Sequence, residues 1–322
     1  MNHPLRIIYM GTPDFAVYPL SLLLQNKYSV VSVVTAPDKP AGRGKKLQQS
    51  PVKKYAESQN IPVLQPEKLR NSEFVESVRN LEPDVIIVVA FRMLPKIIWE
   101  IPLRGTFNLH ASLLPQYRGA APINWAIVNG ETETGVTTFF IDDKIDTGHI
   151  IAQTKVSIPE TANAGDLHNL LMTVGGKLVV ETVAQIENNT VQTIPQDKIE
   201  NESELKSAPK ISKEICHIDC NKPVREIYNH IRGFSPYPAA WIRISNGSES
   251  LLCKIYSAKY SHSTHQEQIG TITQTKDSLY ISCKDGYIYP TEIQLEGKKR
   301  MNISDCLRGF SFEGFSINVS ST

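Results

Sequence analysis

The sequence lacks long apolar runs, is poor in cysteine and carries no excess of charge of either sign. Its longest uninterrupted apolar run, Val85 to Phe91, has seven residues, whereas a membrane-spanning helix needs about 20. No secretory apolar segment opens the chain, so we expect a cytoplasmic protein with no membrane partner. The 34 Lys and Arg nearly balance the 33 Asp and Glu. This balance excludes a uniformly basic protein that binds nucleic acid by bulk electrostatics, but it leaves room for a local basic site.

Only five cysteines occur, all between Cys216 and Cys306. An odd number cannot pair completely, and a chain of 322 residues buries a core large enough to fold without disulfides, so we predict free thiols. The segment 216–220 holds two cysteines and a histidine but lacks the second ligand pair of a structural zinc site, so we predict no metal. The turn Gly11-Thr12-Pro13 is neither a GxGxxG motif nor a P-loop, so we predict no nucleotide cofactor.

The first part of the chain alternates apolar, strand-like segments with amphipathic helical ones. This alternation is typical of an α/β fold with a doubly wound, mostly parallel sheet, whose ligands lie beyond the carboxyl ends of the strands. Two β-rich runs, a hairpin or a pair of edge strands, and then one long helix complete this part. Strands are predicted at 5–10, 28–35, 61–64, 85–90, 106–110, 135–141 and 149–158, and helices at 14–24, 72–80 and 164–188.

The chain length suggests two domains of about 150 residues each. An acid-rich segment poor in apolar residues, 196–206, indicates a linker at about 190–208, between domains at 1–206 and 209–322. The second domain is predicted to be a small OB-like β-barrel, because one helix at 223–231 is followed by short strands between turn residues. These strands are predicted at 240–244, 251–258, 269–273, 279–283 and 287–295. This part carries 14 Lys and Arg against 11 Asp and Glu, which fits either a nucleic-acid support or a folding accessory.

Asn108 and His110 are the first candidates for chemistry. Two residues apart on a predicted strand, their side chains point to the same face, where the strand ends and a loop begins. An amide donor beside an imidazole can stabilise an oxyanion and move a proton. The alternative is a buried histidine whose hydrogen bonds are made by its neighbours.

Asp146 is the third candidate, in the segment DDKIDTG. Such a charged run is usually a solvated turn. Asp146 could instead return over the end of the sheet, where a carboxylate would favour a protonated, correctly oriented imidazole. The spacing in the sequence does not decide between the two.

These segments resemble the folate-dependent formyltransferases, which use N10-formyltetrahydrofolate. The resemblance is carried by Asn-x-His, the SLLPQYRG run at 112–119 and the later DTG, and it extends over nearly the whole chain. Five more segments are similar: MGTPDFA, KPAGRGKK, SPVKKYA, APINWAIVNGETETGVT and IRGFSPYPAAW. The basic loop and the last of these are typical of the members whose acceptor is methionyl initiator tRNA. Asp143-Lys144 departs from the family pattern, which has an apolar residue and glycine there, but the departure leaves Asp146 in place.

The resemblance implies that Asn108, His110 and Asp146 are the catalytic residues. It also implies a folate site at two segments. The segment 91–94 follows the predicted central strand, where its main-chain groups are free at the ligand end of the sheet; the alternative is that it only caps the strand. The folate residues are Ser112, Leu113, Leu114 and Pro115, with the pterin against the backbone of Phe91, Arg92, Met93 and Leu94.

A stretch at 39–54 holds six basic residues and no acid. Taken alone, such a stretch is usually a solvated face. It follows the second strand, however, and is expected to overhang the sheet edge that carries Asn108 and His110, where phosphate contacts fit an acceptor stem. The residues proposed to bind tRNA are Lys39, Arg43, Lys45 and Lys46.

We therefore expect a monomeric enzyme that moves a formyl group from N10-formyltetrahydrofolate to the α-amino group of methionyl initiator tRNA. A sugar-amine formyltransferase would share the three catalytic residues but has no evident need for the basic loop. A tRNA-binding module with a vestigial formyl site is the alternative from another class.

Overall fold

The computed structural model describes residues 4–41, 46–199 and 205–317. The chain forms two compact units, the first made of 1–119, 133–157 and 168–207 and the second of 120–132, 158–167 and 208–322. The stretches 120–132 and 158–167 therefore belong to the second unit. The division into domains at 1–206 and 209–322 remains a prediction. Within the described ranges, no helix is both long and apolar enough to cross a membrane.

The elements are numbered in chain order. The helices are α1 (Val17–Gln25), α2 (Pro51–Ser58), α3 (Ser72–Asn80), α4 (Lys96–Trp99), α5 (Pro122–Val128), α6 (Ala164–Glu187), α7 (Val224–Gly233) and α8 (Ile303–Leu307). The strands up to residue 157 are β1 (Arg6–Gly11), β2 (Ser29–Val34), β3 (Lys39–Ala41), β4 (Lys46–Gln48), β5 (Val63–Leu64), β6 (Val85–Val89), β7 (Thr106–His110), β8 (Arg118–Gly119), β9 (Glu133–Phe140) and β10 (Ile150–Ser157). The later strands are β11 (Ser207–Ala208), β12 (Ala240–Ser245), β13 (Ser250–His262), β14 (Ile272–Gln274), β15 (Leu279–Cys283), β16 (Gly286–Leu295), β17 (Met301–Asn302) and β18 (Ser316–Ile317).

The first unit is built on a seven-stranded sheet in the order β10-β9-β7-β6-β1-β2-β5. The neighbours from β7 to β5 are parallel, and β9 and β10 add two antiparallel strands. Every residue of the central strand β6 is buried, as expected for a parallel strand covered on both faces. The predicted doubly wound, mostly parallel sheet is confirmed, and β6 and β7 end at the edge where such folds bind ligands.

Helices cover both faces of this sheet. On one face, Ile86 and Val88 pack in a buried cluster with Phe74 of α3 and Ile98 of α4. On the other face, α6 lies close because it carries glycine at 175, where a Cβ atom would stand 2.8 Å from a methyl carbon of Leu109. The side chains at the carboxyl end of β7 are therefore held between two packed layers.

The second unit contains an antiparallel sheet in the order β14-β15-β16-β13-β12-β18, with β17 paired to β16. A bridge between Thr271 and Ser316 joins its two edges, and the Ile317 N–H donates to the Gly270 carbonyl at 3.0 Å. The sheet is therefore a nearly closed barrel, which confirms the predicted fold class. Helix α7 buries Ile227 against the barrel core.

Candidate active site

Strand β7 places Asn108 inside the sheet, with Val88 of β6 on one side and Phe139 of β9 on the other. Asn108 is only partly buried. Its side-chain amide makes no hydrogen bond to any of the described residues. An amide that the protein leaves unpaired at this position is free to donate to a bound molecule.

His110, at the end of β7, is buried, with 6% of its surface exposed. Its Nε2 lies 2.9 Å from the carbonyl oxygen of Tyr117, so this nitrogen carries the proton and donates. Nδ1 then faces Asp146, whose Oδ2 lies 3.8 Å away. This orientation lets the carboxylate support a proton on Nδ1.

Asp146 lies in a loop that begins at the far end of β7 and turns back to His110. Because β9 is antiparallel to β7, the loop after β9 starts beside Thr106, at the opposite end of β7 from His110. The loop then turns back with Asp146 in the left-handed conformation at φ +55°. Oδ2 of Asp146 accepts a hydrogen bond from the Gly119 N–H at 2.9 Å, which fixes the carboxylate beside the imidazole.

Gly148 makes this turn possible. A Cβ atom at this position would stand 1.7 Å from the carbonyl oxygen of Phe140. Asp142 closes the other side of the loop, since its carboxylate accepts from the Thr147 hydroxyl at 2.8 Å. The departure at Asp143-Lys144 lies in the exposed part between these contacts, and Asp143 lies 3.9 Å from the ammonium of Lys96.

The loop is also held by Gln196, a residue that the sequence did not single out. Its side-chain amide donates to the carbonyl oxygens of Asp146 at 2.9 Å and Gly148 at 2.8 Å. Its oxygen accepts from Arg118 Nε at 3.0 Å and Nη2 at 2.7 Å. Gln196 is 4% exposed, although the segment that it begins was predicted to be a linker. A glutamine in a polar segment gives no signal of burial in one sequence, so only the fold reveals it.

The segment 91–94 lies directly beyond the carboxyl end of β6. No hydrogen bond among the described residues uses its main-chain N–H or C=O groups. The Arg92 side chain donates to the carbonyl oxygens of Glu67 and Pro66, and the partial burial of its guanidinium lowers the pKa of that group. Met93 is 70% exposed. The segment thus offers free main-chain groups and an apolar side chain to a flat, polar-edged ligand.

The loop after β7 is tightly folded. Ser112 is fully buried and its hydroxyl donates to the Gln116 carbonyl at 2.6 Å. Thr137 donates to the Ser112 carbonyl at 2.7 Å and accepts from the Leu114 N–H at 3.1 Å. Leu114 and Pro115 are buried as well, and Leu113 keeps part of its surface exposed. Ser112 and Leu114 therefore shape the loop, and Leu113 offers the accessible surface.

Part of the basic stretch can be placed. Lys39 is exposed in β3. This strand is antiparallel to β4, in which Lys46 is the partner of Ala41. Arg43 and Lys45 lie outside the described residues, as does the side chain of Lys46. Lys53 is not free, because its ammonium is 2.6 Å from Asp38 and holds the pKa of that carboxyl below its ordinary value.

The cysteines of the second unit are unpaired, as predicted, and all five are buried. Burial raises the pKa of Cys216 to about 11 and that of Cys253 to about 12, so these thiols stay protonated near neutral pH. In the part of the chain that the structure describes, no three His, Cys, Asp or Glu side chains are grouped to hold a metal ion.

The chain belongs to the formyl transferase family: residues 5–183 match the model of the formyl transferase domain, and residues 210–311 match that of the formyl transferase C-terminal domain.

Relatives that match over nearly the full length include methionyl-tRNA formyltransferases. The enzyme of Bacteroides thetaiotaomicron is 53% identical over 317 residues, covering 98% of both chains. That of Phocaeicola vulgatus is 55% identical over 311 residues, covering 95% of this chain and 96% of the relative.

Solved structures agree in fold. WlaRD, a sugar 3N-formyl transferase crystallised in the presence of dTDP and 5-N-formyl-THF, has a TM-score of 0.66 at 24% identity, covering 92% of this chain and 100% of WlaRD. HypX from Aquifex aeolicus in complex with tetrahydrofolic acid has a TM-score of 0.63 at 16% identity, covering 97% of this chain and 48% of HypX. At these identities the likeness concerns the fold alone.

Proposed function

We propose that this protein transfers the formyl group of N10-formyltetrahydrofolate to the α-amino group of methionyl initiator tRNA. The observation that carries the proposal is that His110 and Asp146 lie 3.8 Å apart on the face of β7 that carries Asn108, whose amide makes no hydrogen bond to the described residues. It occurs in a chain whose full-length relatives are methionyl-tRNA formyltransferases. The product is the N-formylated initiator for protein synthesis, and the enzyme acts in the cytoplasm as a monomer.

In this proposal Asn108 and His110 act on the reacting atoms, and Asp146 acts on His110. An α-amino group titrates near ~7.7–8.0, so part of it is already a neutral nucleophile and needs orientation more than activation. The Asn108 amide donates to the negative charge that develops on the formyl oxygen. As the amine nitrogen bonds to the formyl carbon and the bond from that carbon to N10 breaks, His110 takes the proton that the amine releases and passes it to the departing nitrogen. While it holds this proton, its positive charge also stabilises the oxyanion. Asp146 keeps the imidazole oriented and supports its protonated form.

Formyl-folate supplies an activated formyl group when bound. The segment 91–94 suits it, because its unused N–H and C=O groups match the donors and acceptors of a pterin edge and the exposed Met93 can cover the ring. Leu113 is the accessible member of the second folate segment, with Ser112, Leu114 and Pro115 shaping the loop beneath it.

Lys39, Arg43, Lys45 and Lys46 bind the phosphates of the acceptor stem. Their support is a basic stretch without acids that follows β2 of the parallel sheet and carries Lys39 on the surface. Phosphate contacts of this type position the substrate without reading its bases.

A direct assay tests the proposal. The protein is incubated with N10-formyltetrahydrofolate and, separately, methionyl initiator tRNA, methionyl elongator tRNA and a nucleotide-linked amino sugar. Formylation of the initiator tRNA well above the other two acceptors is expected. A preference for the amino sugar would show that the reaction is formyl transfer but that tRNA is not the acceptor. No transfer to any acceptor would refute the activity.

A further inference from the structure

Three consecutive residues after the folate loop each contact a different part of the catalytic apparatus. The Tyr117 carbonyl accepts from His110 Nε2 at 2.9 Å, and the Gly119 N–H donates to Asp146 Oδ2 at 2.9 Å. Between them, Arg118 donates twice to the oxygen of Gln196. The amide of Gln196 returns to the carbonyl oxygens of Asp146 and Gly148, so the contacts form a closed circuit.

Contacts from outside the Asp146 turn hold it in place. Asp146 has a left-handed backbone, which is uncommon for residues other than glycine, although Asp adopts it more readily than most. The carboxylate and imidazole are 3.8 Å apart, so a small shift of the turn changes their relation. The Gln196 side chain binds the main-chain carbonyl oxygens of the turn on both sides of Thr147, at Asp146 and Gly148.

The bonding of Gln196 is directed entirely at this turn and at Arg118. Both polar ends of its side chain are used, and the side chain is 4% exposed. Its neighbours Asp197 and Lys198 in the same 3-10 turn are exposed. A glutamine that served only the local turn would not have its donors and acceptor committed to residues far away in sequence.

We propose that Gln196, oriented by Arg118, is a positioning residue that sets Asp146 against His110 for formyl transfer. The inference rests on the proposed function. Gln196 touches no reacting atom in this assignment and acts only through the Asp146 turn.

The test uses two variants of the full-length protein. Gln196→Leu removes both amide donors and the acceptor for Arg118. Gln196→Glu keeps the shape and the Arg118 contact but turns oxygens toward the two carbonyls, so it isolates the amide donors. Each is expected to lower kcat by about 10- to 100-fold with little change in KM for either substrate, because a displacement of about 1 Å costs this much. Gln192→Leu, an exposed glutamine on the same segment, is the matched control.

A double-mutant cycle with Asp146→Ala separates positioning from general support of the fold. If Gln196 acts through Asp146, Gln196→Leu lowers kcat in the wild-type background and changes it less than about twofold when Asp146 is already absent. An equal loss in both backgrounds, or wild-type kcat in Gln196→Leu and Gln196→Glu, would overturn the inference. Failure of the wild-type protein to formylate any acceptor would instead refute the proposed function, and the inference with it.

Discussion

Oδ2 of Asp146 lies 3.8 Å from Nδ1 of His110, and the proton of the imidazole is on the opposite nitrogen, which donates to a carbonyl oxygen. In this tautomer, the two facing atoms are both acceptors. The contact therefore becomes favourable when His110 takes up a second proton, which is the state that the proposed transfer creates.

Replacing Asp146 with asparagine keeps the shape and an oxygen for the Gly119 N–H but removes the charge. We expect Asp146→Asn to lower kcat by about 100-fold, in the range of a lost acid–base contribution, with formyl-folate affinity nearly unchanged. Steady-state kinetics and equilibrium binding of the folate measure the two effects. Asp143→Asn, at a carboxylate side chain that is 71% exposed in the same loop, should stay close to wild-type turnover.

Asn108→Ala removes the proposed oxyanion donor. Turnover should fall by about 10²–10³-fold, because the loss of one such donor typically costs this much. Folate binding should be preserved, since Asn108 makes no hydrogen bond to the described residues and supports no loop. Asn80→Ala, at an exposed position at the end of α3, is the control. Wild-type turnover in Asn108→Ala would remove this residue from the mechanism.

Gly148→Ala tests the close approach in the Asp146 loop. The added Cβ would stand 1.7 Å from the Phe140 carbonyl oxygen, so the turn must move and carry Asp146 away from His110. We expect a loss of turnover at least as large as that of Asp146→Asn. Gly309→Ala places its Cβ in open space and should keep full activity in the same assay.

Arg43→Ala and Lys45→Ala test the basic stretch. Each should raise KM for charged tRNA and reduce the salt dependence of that KM, since each lost phosphate contact releases about one counterion less. The KM for formyl-folate should not change. The control is Lys155→Ala on β10, which removes an exposed lysine outside the basic stretch that is paired with Glu133 of β9. Unaltered salt dependence in both basic-stretch variants would assign the stretch to a solvated surface.

The buried His230 is expected to make the second unit less stable at low pH. Burial lowers the pKa of this imidazole to about 4, and its Nε2 has no hydrogen-bond partner among the residues that the structure describes. The unfolded chain binds the proton near ~6.5, so the neutral side chain stabilises the fold fully above that pH. The contribution, of about 3 kcal/mol, is lost as the pH falls from about 6.5 toward 4.

Urea unfolding at several pH values in this window measures the effect. His230→Leu should show a weaker fall in the free energy of unfolding with decreasing pH than the wild type. His149→Gln, at an exposed histidine, should retain the wild-type slope. Parallel slopes for His230→Leu and the wild type would mean that another group governs the acid response.

Elements with a strong periodic pattern were predictable from the sequence. The helix over 72–80 and the strand over 106–110 occur as predicted, because an amphipathic repeat and a buried apolar run each leave a clear pattern. The short helices α2 and α5 were not predicted. Helix α2 depends on a local cap, in which Ser50 Oγ accepts from the Lys53 N–H at 3.0 Å.

The candidate site was predictable by residue type but not by geometry. Asn108 and His110 share a strand, so the period of two placed them on one face. The approach of Asp146 depends on a loop that starts at the far end of β7, and the contacts of Gln196 join positions 50 residues apart. Such long-range pairings leave no mark in the local pattern of one sequence.

The position of Gln196 in the chain has a consequence for dissecting this enzyme into parts. The matched formyl transferase domain ends at residue 183, before Gln196, and Lys206 further on accepts a hydrogen bond from the Tyr117 N–H at 2.7 Å. A fragment cut at the end of the matched domain would keep all three proposed catalytic residues and lose both of these supports. The smallest fragment that preserves the arrangement of the site therefore extends through Lys206, well past the end of α6.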